Sequence, residues 1–153
     1  MEEKVAVVVG SKNDLSFLEG AREIFSRFQV EFDIFTFSAH RNLDETVKFA
    51  SEAEEKGYAV IIACAGMAAH LPGVIAAKTI LPVIGVPLPT SEIQGMDALL
   101  AIVQMPAGIP VATMAIGRAG VKNAALLAIS IMARKNSRLA TALREYRREL
   151  TGK

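Results

Sequence analysis

Three short segments of this sequence combine residue types that bind anions and transfer protons. They are GSKND at residues 10–14, SAHR at 38–41 and AGMAAHLPG at 65–73, and the last two contain both histidines of the chain. Hydroxyls, amides and free backbone N–H groups at the start of a helix form sites for anions. A guanidinium binds two phosphate oxygens at once, and histidine takes up and releases protons near neutral pH. The three segments therefore indicate a ligand pocket with acid–base chemistry.

The side chains of these segments also have structural interpretations. Ser11 or Asn13 is suited to capping a helix, and Arg41 is suited to an ion pair with an acidic neighbour. Residues 65–73 can form a tight turn of small side chains. In a ligand site, by contrast, the Asp14 carboxylate accepts hydrogen bonds from a sugar diol. Because both histidines fall in one predicted pocket, we favour the functional interpretation.

The elements that must position these segments alternate between strand and helix. Apolar or alternating runs predict strands at 5–10, 30–37, 58–66, 81–87 and 109–117. Apolar residues at helical spacing predict helices between these strands. One helix is expected to begin with Asn42 as its N-cap, with Glu45 completing a capping box, and to stop at Gly57. A short helix is expected near Pro72.

This alternation predicts a parallel sheet with right-handed crossovers. Five strands favour the flavodoxin-like, doubly wound α/β fold, with strand order 2-1-3-4-5, three αβα layers and a C-terminal helix. We expect one domain over residues 1–153. Ligands of such sheets bind at the carboxyl ends of the strands, and strands 2, 1 and 3 are neighbours in this order. The three polar segments are thus predicted to converge, with the irregular stretch 87–98 as a loop beside them.

The composition is that of an ordinary globular protein, with 52% apolar and 22% charged residues and a net charge of +1. The uncharged stretches 57–77 and 98–117 are each long enough to cross a bilayer. Glycines and prolines interrupt both stretches, so we interpret them as buried strands and helices and expect no membrane association. The single cysteine, Cys64, forms no internal disulfide, and the N-terminal MEEK does not predict a signal peptide. We therefore expect a cytoplasmic protein.

Positive charge is concentrated in residues 98–153, which contain nine Lys/Arg and two Asp/Glu. A nucleic-acid-binding patch is one interpretation of this bias. However, SRLATALREYRREL at 137–150 has apolar residues at helical spacing, so we favour an amphipathic helix that is solvated or contacts a subunit, and we expect no nucleic acid. The predicted helix 122–134 is apolar on nearly every face, which indicates burial against another subunit.

The sequence lacks the motifs that common cofactors require. It has no GxGxxG fingerprint after the first strand, no P-loop and no GxSxG nucleophile motif. Two histidines without cysteine pairs or clustered acidic residues make a poor metal site. A hydroxyl-rich phosphate loop and a tryptophan for a flavin are missing, and Cys64 and Ala65 stand where receiver domains carry an aspartate. We expect neither a metal nor a cofactor.

Jointly, the segments GSKND, SAHR, AGMAAHLPG, GVP and IVQMPAGIPVAT, followed by IG and NAA, resemble the class I N5-carboxyaminoimidazole ribonucleotide mutase family of purine biosynthesis. The similarity extends over nearly the whole chain, in order and spacing. It implies an isomerase that moves a carboxylate from N5 to C4 of an aminoimidazole ribonucleotide without metal, ATP or biotin. It also implies a homo-octamer, in which residues 104–110 reach the site of a neighbouring subunit.

The resemblance implies a role for each segment. The 5′-phosphate would be bound by Ser11, Asn13, Ser38 and Arg41. Asp14 would bind the ribose, and His40 would be the catalytic acid and base. The carboxylate would lie in a pocket lined by Ala65, Gly66, Met67, Ala68, His70 and Leu71. Because a carbamate loses CO2 once its nitrogen is protonated, one histidine can donate that proton and later remove the proton from C4.

Two residues depart from the usual motifs of the family. Asn13 stands in place of a second serine, and Met67 stands in place of a glycine. An amide still donates a hydrogen bond to phosphate, and residue 67 keeps its backbone N–H. Class II relatives, which carboxylate aminoimidazole ribonucleotide directly with CO2, typically have AHK and a histidine-free loop, so Arg41 and AAHLPG favour class I. The class II reaction and a non-catalytic phospho-ligand-binding module are the alternatives.

Overall fold

The computed structural model describes residues 3–152 and contains one five-stranded sheet in which all strands are parallel. The strands β1 to β5 are Lys4–Val9, Phe32–Thr36, Tyr58–Gly66, Val83–Leu88 and Ala112–Thr113. The helices α1 to α6 are Glu19–Phe28, Leu43–Glu52, Leu71–Ala76, Met96–Val103, Arg118–Met132 and Ser137–Leu150, and a 3-10 helix at Lys12–Leu18 precedes α1. The strand order β2-β1-β3-β4-β5 confirms the predicted doubly wound topology.

Helices cover both faces of this sheet, because the side chains of each central strand alternate between two apolar clusters. On β1, Val5, Val7 and Val9 face α1 and α5, whereas Ala6 and Val8 face α2, α3 and α4. All five of these side chains are buried. Runs of apolar residues without alternation are typical of strands that are buried on both faces. The three predicted αβα layers and the C-terminal helix α6 are thus confirmed.

The last strand is shorter than the sequence predicts. Residues 109–117 were expected to be extended, but only Ala112–Thr113 pair with β4. Pro110 cannot donate a backbone hydrogen bond, and the chain turns away after the Met114 N–H donates to the Gly85 carbonyl. As an edge strand, β5 needs few ladder hydrogen bonds to complete the sheet.

Helix α4 was not predicted as a separate element. The expected loop over 87–98 ends at Gly95, whose φ of 90° starts the helix Met96–Val103. Ala98 and Ile102 are buried against the sheet, whereas Met96, Leu100 and Val103 are about half exposed. A helix with apolar residues on its exposed face gives no amphipathic pattern, so the sequence pattern did not predict α4.

Helix α5 is packed between the sheet and α6. It begins at Arg118 and ends at Met132, slightly earlier than the predicted 122–134. The C-terminal helix α6 covers part of its outer face through Leu139, Leu143 and Tyr146. Helix α6 of the same chain therefore provides part of the burial of α5 that the sequence analysis assigned to another subunit. Within residues 3–152, no helix is long and apolar enough to span a bilayer.

Candidate active site

The first polar turn follows β1 and starts the 3-10 helix. Ser11 is its N-cap, and the Ser11 Oγ accepts a hydrogen bond from the Asn13 N–H over 3.3 Å. The Asp14 N–H donates to the Ser11 carbonyl over 3.0 Å, which closes the turn. This arrangement confirms the capping interpretation of Ser11, and it leaves the Asn13 side chain at the rim of a cavity.

Asp14 is a buried carboxyl group in this turn, with 6% of its surface exposed. Burial raises the pKa of Asp14, and a hydrogen bond from the Ser11 backbone partly opposes that rise. A carboxyl group that has lost most of its water gains from hydrogen-bond donors on a ligand. The environment of Asp14 is therefore suited to the hydroxyls of a sugar.

Cys64 lies behind Asp14 at the end of β3 and is fully buried. Burial, assisted by the charge of Asp14, raises the pKa of the Cys64 thiol to about 12. The thiol therefore stays protonated at neutral pH, and Cys64 packs as a small apolar side chain rather than acting as a nucleophile.

The second polar turn follows β2 and is held by two side chains. The Ser38 Oγ accepts hydrogen bonds from the backbone N–H groups of His40, at 3.4 Å, and Arg41, at 3.2 Å. The Ser38 N–H in turn donates to Asn42 Oδ1 at 2.6 Å. Asn42 is the N-cap residue of helix α2, as predicted, but the predicted capping box is wrong, because the Asn42 side chain bonds to the turn and not to the helix. Helix α2 also ends at Glu52, before Gly57.

The Arg41 guanidinium has no ion-pair or hydrogen-bonding partner among residues 3–152. Arg41 is exposed and lines the cavity described below. This geometry disfavours the structural interpretation of Arg41 as half of an ion pair. An unpaired guanidinium beside a hydroxyl-containing turn is instead available to an anionic ligand.

The third turn connects β3 to α3 and contains two strained backbone positions. Met67 and Ala69 have φ values of 54° and 43°, in the left-handed region that L-residues rarely adopt. The Ala69 N–H donates to the Gly66 carbonyl at 3.0 Å. His70 is the N-cap residue of α3, which has proline in its first turn. Strain of this kind is often found where a loop contacts a ligand.

The two histidines meet across the gap between the second and third turns. Nε2 of His40 lies 2.5 Å from Nδ1 of His70, and the ring centroids are 4.7 Å apart at an interplanar angle of 78°. One ring nitrogen must carry the hydrogen and the other must accept it. The orientation of the His40 imidazole is therefore coupled to His70, a contact that the sequence did not predict.

These turns enclose a cavity of about 530 Å³ at the carboxyl ends of the strands. Every residue predicted for the site lines it: Ser11, Asn13, Asp14, Ser38, His40, Arg41, Ala65, Gly66, Met67, Ala68, His70 and Leu71. Four more residues line it: Gly10, Ala39 and Ala69, which belong to the same three predicted segments, and Thr90, which does not. Thr90 belongs to the stretch 87–98, which was expected to lie beside the site. Among residues 3–152, no group of three or more His, Cys, Asp or Glu is arranged to hold a metal ion.

The sequence model of the AIR carboxylase family matches residues 4–153, which is nearly the entire chain. The chain belongs to the AIR carboxylase family. A protein of Escherichia coli named N5-carboxyaminoimidazole ribonucleotide mutase is 51% identical, over 97% of this chain and 88% of its own length. A protein of the same name from Saccharolobus solfataricus is 50% identical, over 96% of this chain and 92% of its own length.

Solved structures agree with this membership of the AIR carboxylase family. The crystal structure of Treponema denticola PurE superimposes with a TM-score of 0.89 and 26% sequence identity. The superposition covers 99% of this chain and 93% of that chain. The strands, helices and connecting turns that surround the cavity therefore belong to a fold common to this family.

Replacing Met67 with glycine is expected to raise the free energy of unfolding by roughly 0.5–1 kcal/mol, because glycine adopts a positive φ without strain. Urea denaturation measures the change. Gly57→Ala is a matched control, because Gly57 has a φ of 83° and an added Cβ would meet nothing within 4 Å. That variant should lose stability by a similar amount. A less stable Met67→Gly protein would show that contacts of the methionine side chain outweigh its backbone strain.

Proposed function

We propose that this protein is an isomerase of purine biosynthesis that converts N5-carboxyaminoimidazole ribonucleotide into 4-carboxyaminoimidazole ribonucleotide. The names of relatives with about 50% identity support this activity. The observation that carries the proposal is one cavity that unites an arginine without an ion-pair partner among residues 3–152, two hydroxyl-containing turns and a contacting pair of histidines. The histidine chemistry and the individual contacts below are our proposals.

The phosphate of the substrate binds between the first two turns. Ser11, Asn13 and Ser38 supply neutral donors, and Arg41 supplies the charge that a phosphate dianion needs. The Ser38 Oγ already accepts two backbone hydrogen bonds, so its hydroxyl hydrogen is directed toward another acceptor. The ribose hydroxyls then lie against the Asp14 carboxylate.

The carboxylate lies against the third turn, in the part of the cavity lined by Ala65, Gly66, Ala68 and Leu71. These residues are small or apolar, so they bring no competing charge to the reacting group. A carbamate whose nitrogen is protonated breaks its N–C bond and releases CO2. CO2 that is held against the ring is then attacked by C4, so the reaction gains from the proximity of its two fragments.

His40 performs the two proton transfers in this scheme. Its protonated imidazole donates to the N5 nitrogen as the N–C bond breaks, and the neutral imidazole then accepts the proton that C4 must lose to restore aromaticity. The scheme needs no other proton donor or acceptor, because His40 gives up one proton and takes one back. His70, within 2.5 Å of His40, orients the imidazole and borders the CO2 cavity.

The experiment that tests this function supplies the two alternative substrates separately. The isomerase should consume N5-carboxyaminoimidazole ribonucleotide and form the 4-carboxy product without added bicarbonate. The description of the family as AIR carboxylase favours a second candidate, direct carboxylation of aminoimidazole ribonucleotide. Rapid product formation from aminoimidazole ribonucleotide and bicarbonate, with no reaction of the carbamate, would establish that candidate. A protein that binds both compounds and turns over neither would be a binding module.

We also propose a homo-oligomer, specifically an octamer, whose interface includes α5. The exposed apolar residues of the structure support self-association: Ile93, Met96, Leu100 and Val103 around α4, and Leu150 beside the groove between α5 and α6. Contiguous exposed apolar residues are typical of surfaces that contact other proteins. Light scattering at micromolar concentration should give a mass near eight times 16.4 kDa. A stable monomer would contradict the proposal.

A further inference from the structure

Thr90 lies two residues beyond the end of β4 and is exposed. Its backbone N–H donates to the Leu88 carbonyl at 3.0 Å, across Pro89. The backbone of Pro89 approaches Gly95 closely, because a Cβ added to Gly95 would lie 3.2 Å from the Pro89 Cα. Gly95 also has a φ of 90°, which favours glycine at this position. The position of Thr90 is therefore defined by a hydrogen bond to Leu88 and by the contact between Pro89 and Gly95.

The Thr90 side chain lies over Gly66, the last residue of β3. A Cβ added to Gly66 would lie 1.8 Å from the Thr90 Oγ1 and 3.1 Å from the Thr90 Cβ. The register of the sheet pairs Gly66 with Leu88, so Thr90 reaches across from the neighbouring strand. The Thr90 hydroxyl thus occupies the space that a side chain at position 66 would otherwise fill, at the start of the third turn.

The Thr90 hydroxyl has no hydrogen-bonding partner within the part of the chain that the structure describes, residues 3–152. It lines the active-site cavity together with His70 and Met67. An exposed hydroxyl that lies over the start of the third turn and has no partner among residues 3–152 is available to hydrogen-bond a ligand.

The order of the strands determines which part of the ligand Thr90 can reach. Strand β4 lies beside β3, on the far side from β1 and β2, whose turns contain the proposed phosphate ligands. The neighbouring part of the cavity is lined by small or apolar side chains, with His70 as the other polar one. A carboxylate there needs donors in addition to backbone N–H groups.

We propose that Thr90 is a specificity-determining residue whose hydroxyl donates a hydrogen bond to the carboxylate that is transferred. Thr90 thereby distinguishes a carboxylated aminoimidazole ribonucleotide from its uncarboxylated form. This inference rests on the proposed function, because it takes the third turn as the carboxylate end of the cavity.

The test compares Thr90→Val, which keeps the shape of the side chain, with Thr90→Ser, which keeps the hydroxyl. Calorimetric titration measures binding of 4-carboxyaminoimidazole ribonucleotide and of aminoimidazole ribonucleotide. The valine variant should bind the carboxylated ligand about tenfold more weakly, as expected for a hydrogen bond to a charged group. Its affinity for the uncarboxylated ligand should stay within about twofold, and Thr90→Ser should retain most of the discrimination.

Unchanged binding of both ligands by Thr90→Val would overturn the inference. An equal loss for both ligands would also overturn it, because Thr90 would then only shape the cavity. Thermal unfolding without ligand checks that the valine variant is folded. Different results would refute the isomerase function and the role of Thr90. A wild-type protein that does not convert the carbamate refutes the isomerase function. A normal wild-type turnover combined with normal Thr90→Val binding refutes only the role of Thr90.

Discussion

Replacing His40 with asparagine is expected to lower turnover by about 10²–10⁴-fold while the substrate still binds, because proton transfer by one side chain contributes on that order. Asparagine has a similar size and retains some hydrogen-bonding capacity, but it cannot accept and return a proton. The phosphate ligands are not changed by this substitution. Steady-state turnover and calorimetric affinity, measured on the same preparation, separate the two effects.

His70→Asn is the matched comparison, because it changes the other member of the contacting pair. Its loss of turnover should be smaller, since His70 orients His40 and borders the CO2 cavity but transfers no proton in our scheme. Some CO2 and aminoimidazole ribonucleotide should escape from this variant. A His70→Asn protein that binds substrate but does not turn it over, beside an active His40→Asn protein, would reverse the assignment. Altered affinity without altered turnover in His40→Asn would remove His40 from the proton transfers and leave it a role in binding only.

The topology could be predicted because the sequence specifies it redundantly. The continuous apolar run of β3 indicates a strand that is buried on both faces, and alternation of strands with helices restricts the connections to right-handed crossovers. Two elements depended on tertiary structure instead. The extent of β5 is set by its pairing to β4 at Ile84 and Gly85, and α4 has an exposed apolar face. Neither feature leaves a periodic signal in the sequence.

The residues that line the cavity could be predicted because three turns at neighbouring strand ends must meet. The hydrogen bonds and contacts among these residues could not be predicted. Asn42 is the N-cap residue of α2, as predicted, yet its Oδ1 bonds to the Ser38 N–H and not to the helix, and sequence spacing does not distinguish the two partners. Thr90 was missed because its place in the cavity lining depends on its position over Gly66, 24 residues earlier in the chain. Contacts between turns of different strands require the three-dimensional register.

Replacing Arg41 with alanine is expected to weaken binding of the phosphorylated substrate by about tenfold to a hundredfold, the range for a hydrogen bond to a charged group. The Arg41 guanidinium is unpaired within residues 3–152, so its removal leaves no buried charge behind and should not destabilise the fold. Arg41→Lys should lose less affinity, because an ammonium keeps the charge but not the two-pronged geometry. Titration with aminoimidazole ribonucleotide measures each affinity.

Two controls separate the phosphate contact from a general effect of charge. Arg144→Ala removes the same charge from the exposed surface of α6, outside the cavity lining, and should bind normally. The aminoimidazole riboside, which lacks the phosphate, should bind the wild-type protein and Arg41→Ala with the same low affinity. If Arg41→Ala binds the ribonucleotide as tightly as the wild type does, the phosphate site must be formed without Arg41. Loss of affinity for the riboside as well would instead place Arg41 against the ribose or the ring.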